Sequence, residues 1–130
     1  MIIQQDSSNA TYQIKQYRPG SIVISHQINQ QITLQTYTHT ILIKPHVLIT
    51  TMRPAHFADL TIDDLSIILN DPVAILILGT GPTGIIPPME LLAVLFEKNI
   101  GVEFMDSRAA CHTYTLLAAE EREVAALIMP

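Results

Sequence analysis

The residues best placed to do chemistry lie in the last third of the chain. A lone thiol, Cys111, follows Asp106-Ser107-Arg108-Ala109-Ala110 and precedes His112-Thr113-Tyr114. A second polar turn, Gly79-Thr80-Gly81, leaves the apolar run Val73–Leu78. A cysteine in the first turn of a helix gains from the helix dipole, which lowers its pKa and makes it a nucleophile. His112 is no base for it, because adjacent helical residues point about 100° apart. The stronger reading of Cys111 is therefore a small core-facing residue, usual for a lone intracellular cysteine.

Gly79-Thr80-Gly81-Pro82-Thr83-Gly84 matches the G-x-G-x-x-G spacing of dinucleotide-binding loops. That motif works by opening a helix inside itself, so that helix amides meet a pyrophosphate. Pro87 and Pro88 stand where the helix interior would be, and proline there breaks a helix. A ribose-binding acid could be Glu103 or Asp106, but only one strand–helix–strand unit of suitable length follows. The glycines read instead as a tight strand exit whose backbone amides could hold a small anionic or carbonyl group. The candidate ligand-binding set is Gly79, Thr80, Gly81, Asp106, Ser107, Cys111, His112 and Tyr114, expected to meet across a cleft at the ends of neighbouring strands. Asp106 reads first as a helix cap. His26, His39, His46 and His56 lack ligand spacing, so neither a metal nor another cofactor is expected. Arg53-Pro54-Ala55-His56-Phe57 is a candidate lip over the cleft.

The elements that must position these residues change character midway. Segments at Gln13–Tyr17, Ser21–Ser25, Gln31–Tyr37, Thr40–Lys44 and Val47–Thr51 alternate or are β-branched, which predicts an antiparallel meander. Pro19-Gly20 and the stretch His26–Gln30 read as its turns, and Pro45 separates the last two strands. Thr61-Ile62-Asp63-Asp64 resembles a capping box opening a short helix stopped by Asn70-Asp71-Pro72. Strand Val73–Leu78, a helix over Pro88–Lys98, strand Val102–Met105, a helix over Arg108–Glu121 capped by Asp106 or Ser107, and strand Val124–Met129 complete an α/β half. Its first crossover should be right-handed with parallel strands. The first dozen residues are polar and read as loose.

Composition narrows the function classes. At 130 residues the chain is read as one domain, 1–130, large enough for its own core. Apolar residues make up 48% and charged ones 15%, which excludes disorder and favours a buried contact with another subunit. The net charge is −5 and the seven Lys and Arg are scattered, which argues against nucleic acid. Apolar runs of about six residues are too short to insert in a membrane, and the amino terminus has no signal or transit pattern. One cysteine precludes an internal disulfide, and a cytoplasmic location is expected.

Several segments resemble a family of small α/β domains of unknown biochemical function. The family is typified by an archaeal methanobacterial protein and the mitochondrial respiratory complex I assembly factor three. The resemblance rests on Leu78-Gly79-Thr80-Gly81, Gly101-Val102-Glu103-Phe104-Met105-Asp106-Ser107 and Ala109-Ala110-Cys111-His112-Thr113-Tyr114. Glu120-x-Arg122 with Val124-Ala125-Ala126-Leu127-Ile128 continues it, and Tyr17-Arg18-Pro19-Gly20 and Phe57–Thr61 carry weaker similarity. It implies a three-layer α/β domain, a mixed central sheet flanked by helices with extra antiparallel strands. The family usually has Thr at Ser107, Arg at His112, Asn at Thr115 and Gly at Glu121. Ser107 would keep a hydroxyl cap, whereas His112 gives up a permanent cation and Thr115 an amide. The resemblance implies a protein-interaction or assembly role without catalysis. A small-molecule binding domain and a cysteine-dependent enzyme are the alternatives.

Overall fold

The computed structural model describes residues 10–130, and the amino-terminal stretch expected to be loose falls mainly outside them. Strands β1 (Tyr12–Arg18), β2 (Ser21–Ile28) and β3 (Gln31–Tyr37) form an antiparallel sheet in chain order. The β2–β3 turn is shorter than the sequence suggests. His26, Gln27 and Ile28 continue β2, and only Asn29 and Gln30 turn, at φ 52° and 69°. Two left-handed residues in succession match the twist of paired strands, so the ladder runs on to Ile28 opposite Gln31.

β4 (Ile41–Lys44) and β5 (Val47–Ile49) form a hairpin about Pro45-His46. They begin a second sheet, ordered β5-β4-β8-β6-β7, with β6 (Ile75–Gly79), β7 (Gly101–Met105) and β8 (Val124–Ile128). β6 is parallel to β7 and β8, whereas β4 is antiparallel to β8, so the sheet is mixed. Every residue of β8 is buried, as its uninterrupted Val-Ala-Ala-Leu-Ile demands of a central strand covered on both faces. β6 starts at Ile75 rather than Val73. Ala74 serves the strand ends instead, with its carbonyl accepting from Gly101 N–H at 2.8 Å.

Three α-helices among the described residues cover this sheet. Thr61 opens a 3₁₀ turn, Ile62–Leu65, whose start is held by Asp64, which accepts from the Thr61 N–H at 2.8 Å. The α-helix that follows, α1 (Ser66–Asn70), is short. α2 (Met89–Glu97) starts after Pro88, and α3 (Ser107–Ala119) follows β7. One core cluster joins Leu65, Ile68, Leu91 and Leu95 to Leu76, Leu78 and Leu127. The other joins Ile14, Ile22 and Ile24 of the meander and Ala110 and Tyr114 of α3 to Ile41, Ile77 and Ile128. Alternate residues of β4, β6 and β8 feed opposite clusters, the period-two signature of a sheet buried on both sides. The fold is thus a mixed central sheet between two apolar layers, with the antiparallel meander packed beside α3.

Candidate functional site

The Gly-Thr-Gly turn and the amino end of α3 do meet, by direct contact. A Cβ on Gly79 would lie 3.0 Å from Ala110 Cβ and 3.1 Å from Ile128 Cδ1 and Ser107 Oγ, so only glycine lets helix and strand approach this closely. Thr80 N–H donates to the Met105 carbonyl at 2.9 Å. Gly81, at φ 105°, donates its N–H to Ser107 Oγ at 2.9 Å, and Ser107 N–H donates back to the Gly81 carbonyl at 2.8 Å. The Ser107 hydroxyl in turn donates to the Met129 carbonyl. Amides expected to hold a ligand are thus engaged by the protein, and side chains fill the space between turn and helix.

Asp106 is the cap, its Oδ1 accepting from Ala109 N–H at 2.9 Å. Ser107 is the first helical residue and caps nothing. Its hydroxyl, fully buried, bridges Gly81 to the end of β8 instead. Thr80 organises the loop after it, donating to the Thr83 carbonyl at 2.6 Å and accepting from Ile85 N–H at 3.1 Å. No helix opens within Gly79–Gly84, since α2 waits until Met89. A pyrophosphate therefore has no helix amino terminus to meet there.

Cys111 is the fifth residue of α3, one residue deeper than the sequence suggests and just past the first turn, where the dipole has faded. Burial among Tyr114, Ala110 and the meander isoleucines pushes its thiol up to about 12, against a weaker opposing pull from Arg108. The group is a protonated core thiol. His112 faces solvent. Tyr114 is a core residue of α3, and its hydroxyl finds no hydrogen-bond partner among the described residues. Arg108 extends over the Tyr17 ring, 5.2 Å from its centroid, and Tyr17 donates to the Pro130 carbonyl, tying β1 to this junction.

A hollow of about 580 Å³ opens on the other side of the turn, at the carboxyl ends of β6 and β8. Thr80 and Gly81 form one wall, His39 a second, and His56, Phe57 and Met129 complete it. Of the eight candidate residues, Thr80 and Gly81 border this hollow. Of the Arg53–Phe57 segment, Ala55, His56 and Phe57 border it, and the segment's anchors are clear. Arg53 makes a bidentate pair with Asp64 (Nη2–Oδ2 2.7 Å, Nε–Oδ1 3.1 Å), and Thr40 donates to the Pro54 carbonyl at 2.6 Å. The Arg53 hydrogen bonds hold the Asp64 carboxyl below its ordinary range, outweighing its partial desolvation. Sequence reasoning missed His39, which is far from the other lining residues in the chain and lacks any ligand spacing, and reached His56 only as part of the candidate lip. His39 Nε2 lies 2.6 Å from the Thr50 carbonyl, which fixes that nitrogen as the donor. Among the described residues no group of His, Cys, Asp and Glu could hold a metal ion.

Comparison with known proteins agrees with this architecture. A protein of Francisella tularensis subsp. holarctica named "13 kDa major membrane protein" is 26% identical over 130 residues, covering 99% of each chain. An assembly factor 3 of the NADH dehydrogenase 1 alpha subcomplex from Danio rerio is 33% identical over 75 residues, which are 56% of this chain and 43% of that one. The chain thus spans less than half of that relative. A crystal structure from Bordetella parapertussis superposes with TM-score 0.80 at 28% identity, covering 94% of this chain and 98% of that one. A solution structure from Bordetella pertussis, described as a Mth938-like domain, gives 0.76 at 24% identity over all of this chain and 92% of the other, and shows the shared fold. With the family's sequence profile matching residues 14–129, from β1 to the end of β8, the chain belongs to the family of proteins of unknown function DUF498/DUF598.

Proposed function

We propose that this domain is a non-catalytic protein-interaction module of the assembly-factor kind, acting in the cytoplasm. One observation carries the reading: the lead into α2 presents large apolar side chains to water. Ile86 is 77% exposed and Met89 75%, with Ile85 beside them and Phe96 two turns along α2 from Met89. Residues seven apart share a helix face, so Met89 and Phe96 form a stripe of the kind that marks a protein contact. The chemistry-bearing residues support the same reading by being committed elsewhere, Cys111 to the core and Ser107 to the Gly81 junction.

The experiment compares affinity purification of the wild type with Ile86→Asp and Met89→Asp from the protein's own cells. Defined partners should be recovered with the wild type and fall at least tenfold with either variant, while melting stays unchanged because both side chains are exposed. Equal recovery by all three proteins contradicts the reading. Because the Francisella protein carries a membrane name, fractionation is a second check: the proposal places the chain in the soluble fraction, and retention in washed membranes refutes that part.

The hollow beside Thr80 favours a second reading, binding of a small, largely apolar molecule that hydrogen-bonds to a lining residue such as His39 or His56. Ala58→Trp would fill it. A metabolite panel that raises the melting temperature of the wild type but not of Ala58→Trp supports this reading, and a panel without effect removes it.

A further inference from the structure

Each sheet edge invites strand pairing unless something blunts it. β5 is three residues long, β7 carries Glu103, and β1 carries Lys15, Arg18 and a register break between Ile14 and Gln16. β3 has none of these devices. It runs seven residues with no charge, proline or bulge, and pairs only with β2 among the described strands. No Asp, Glu, Lys or Arg occurs anywhere from Pro19 to Ile43. Ile32 and Leu34 on this edge are 59% and 63% exposed.

We infer that β3 is a self-association edge, pairing antiparallel with β3 of a second copy about a two-fold axis through Leu34. The hairpin fixes which residues are available. Ile28 and Gln31 close a two-residue loop and are therefore a hydrogen-bonded pair, and such pairs alternate along an antiparallel ladder. Ile32, Leu34 and Thr36 thus turn their amides and carbonyls away from β2. A two-fold at Leu34 sets Leu34 opposite its copy and Ile32 opposite the copy's Thr36, so that these outward groups satisfy one another. The same register gathers both leucines and both isoleucines on one face, since residues two apart share a face.

Charge selects a second copy as the occupant. Two chains of net charge −5 repel at most orientations, and contact along an edge within the uncharged stretch brings together no like charges and desolvates none. The surface is separate from the α2 stripe, so the proposal stands independently of the assembly reading. It closes the two meanders into one continuous sheet and removes both unprotected edges at once.

Sedimentation at micromolar concentration tests it. The wild type should run at twice the mass of one chain, and Leu34→Lys as a single chain that still unfolds cooperatively, with a midpoint lowered only by the lost association and no longer dependent on concentration. Leu34→Cys fixes the register independently. A residue opposite its own copy in a hydrogen-bonded pair has Cα atoms about 5.5 Å apart, within disulfide reach, so mild oxidation should link two chains. Gln31→Cys should not link. A wild type that is a single chain overturns the proposal, whether residues 1–9 or another protein then proves to cover β3. A dimer indifferent to Leu34→Lys, or one linked by Gln31→Cys and not by Leu34→Cys, overturns it equally.

Discussion

At the scale of single residues, the chemistry suggested by type and spacing is redirected by burial. Cys111 and Ser107 have the identities of nucleophiles, yet both are inside, the thiol among hydrocarbon and the hydroxyl between two backbone groups. Raising the thiol pKa favours the neutral folded state. That stabilisation is complete below the unfolded-state value, about 8.5, and is lost as pH climbs through the folded value, about 12. Native Cys111 should accordingly resist iodoacetamide at neutral pH and react only after denaturation. Prompt native alkylation would contradict the burial account. Tyr114 gives a sharper case. Its buried hydroxyl lacks a partner among the described residues, and leaving such a group unpaired costs about 1–3 kcal/mol. Tyr114→Phe should keep or raise the midpoint of chemical denaturation. A fall of more than about 1 kcal/mol would mean that the hydroxyl is satisfied in solution.

At the scale of elements, the helix ends explain a departure in sequence. α2 and α3 both stop with a left-handed residue, Asn99 at φ 60° and Glu121 at φ 59°. Ile100 N–H reaches the Leu95 carbonyl, and Arg122 N–H the Leu117 carbonyl, which are the long bonds of a Schellman ending. The resemblance assigns glycine to the Glu121 position, the residue that adopts this backbone without penalty. Glu121→Gly should stabilise the fold by about 1 kcal/mol, a rise of roughly 3–5 °C in Tm. An unchanged or lower Tm would show that the cap is relaxed elsewhere. In the opposite sense, Gly79→Ala should cost about 1–3 kcal/mol, because Ala110 and Ile128 must give way together. The Arg53–Asp64 pair adds a pH signature. A carboxyl held low stabilises above the unfolded value, about 4, and that contribution fades as pH falls through the folded value. Asp64→Asn should flatten the acid limb of the stability curve, and an unaltered limb would contradict the assignment. These elements were largely legible in the chain, because period-two alternation, Pro87-Pro88 and Asn99 are local signals. The exchange between Gly81 and Ser107 was not, since it joins residues 26 positions apart and depends on how closely β6 and α3 pack.

At the scale of the whole molecule, the sheet spends its carboxyl-end turns on holding α3 and leaves its apolar surplus outside. Composition alone signalled this, with 48% apolar residues against 15% charged. What it could not show was where the surplus lies, because Leu91 and Leu95 enter the core while Met89 and Phe96, on the same helix, do not. Two exposed apolar surfaces result, the α2 stripe, proposed for a partner protein, and the β3 edge, proposed for a second copy. The central claim is that the α2 stripe is the working face. Replacing Met89 with a photo-crosslinking amino acid in living cells tests it directly, with the exposed His112 of α3 as the control. A discrete adduct with another protein from position 89 and none from position 112 is the expected result. Adducts from 112 alone, or from neither position, would contradict it.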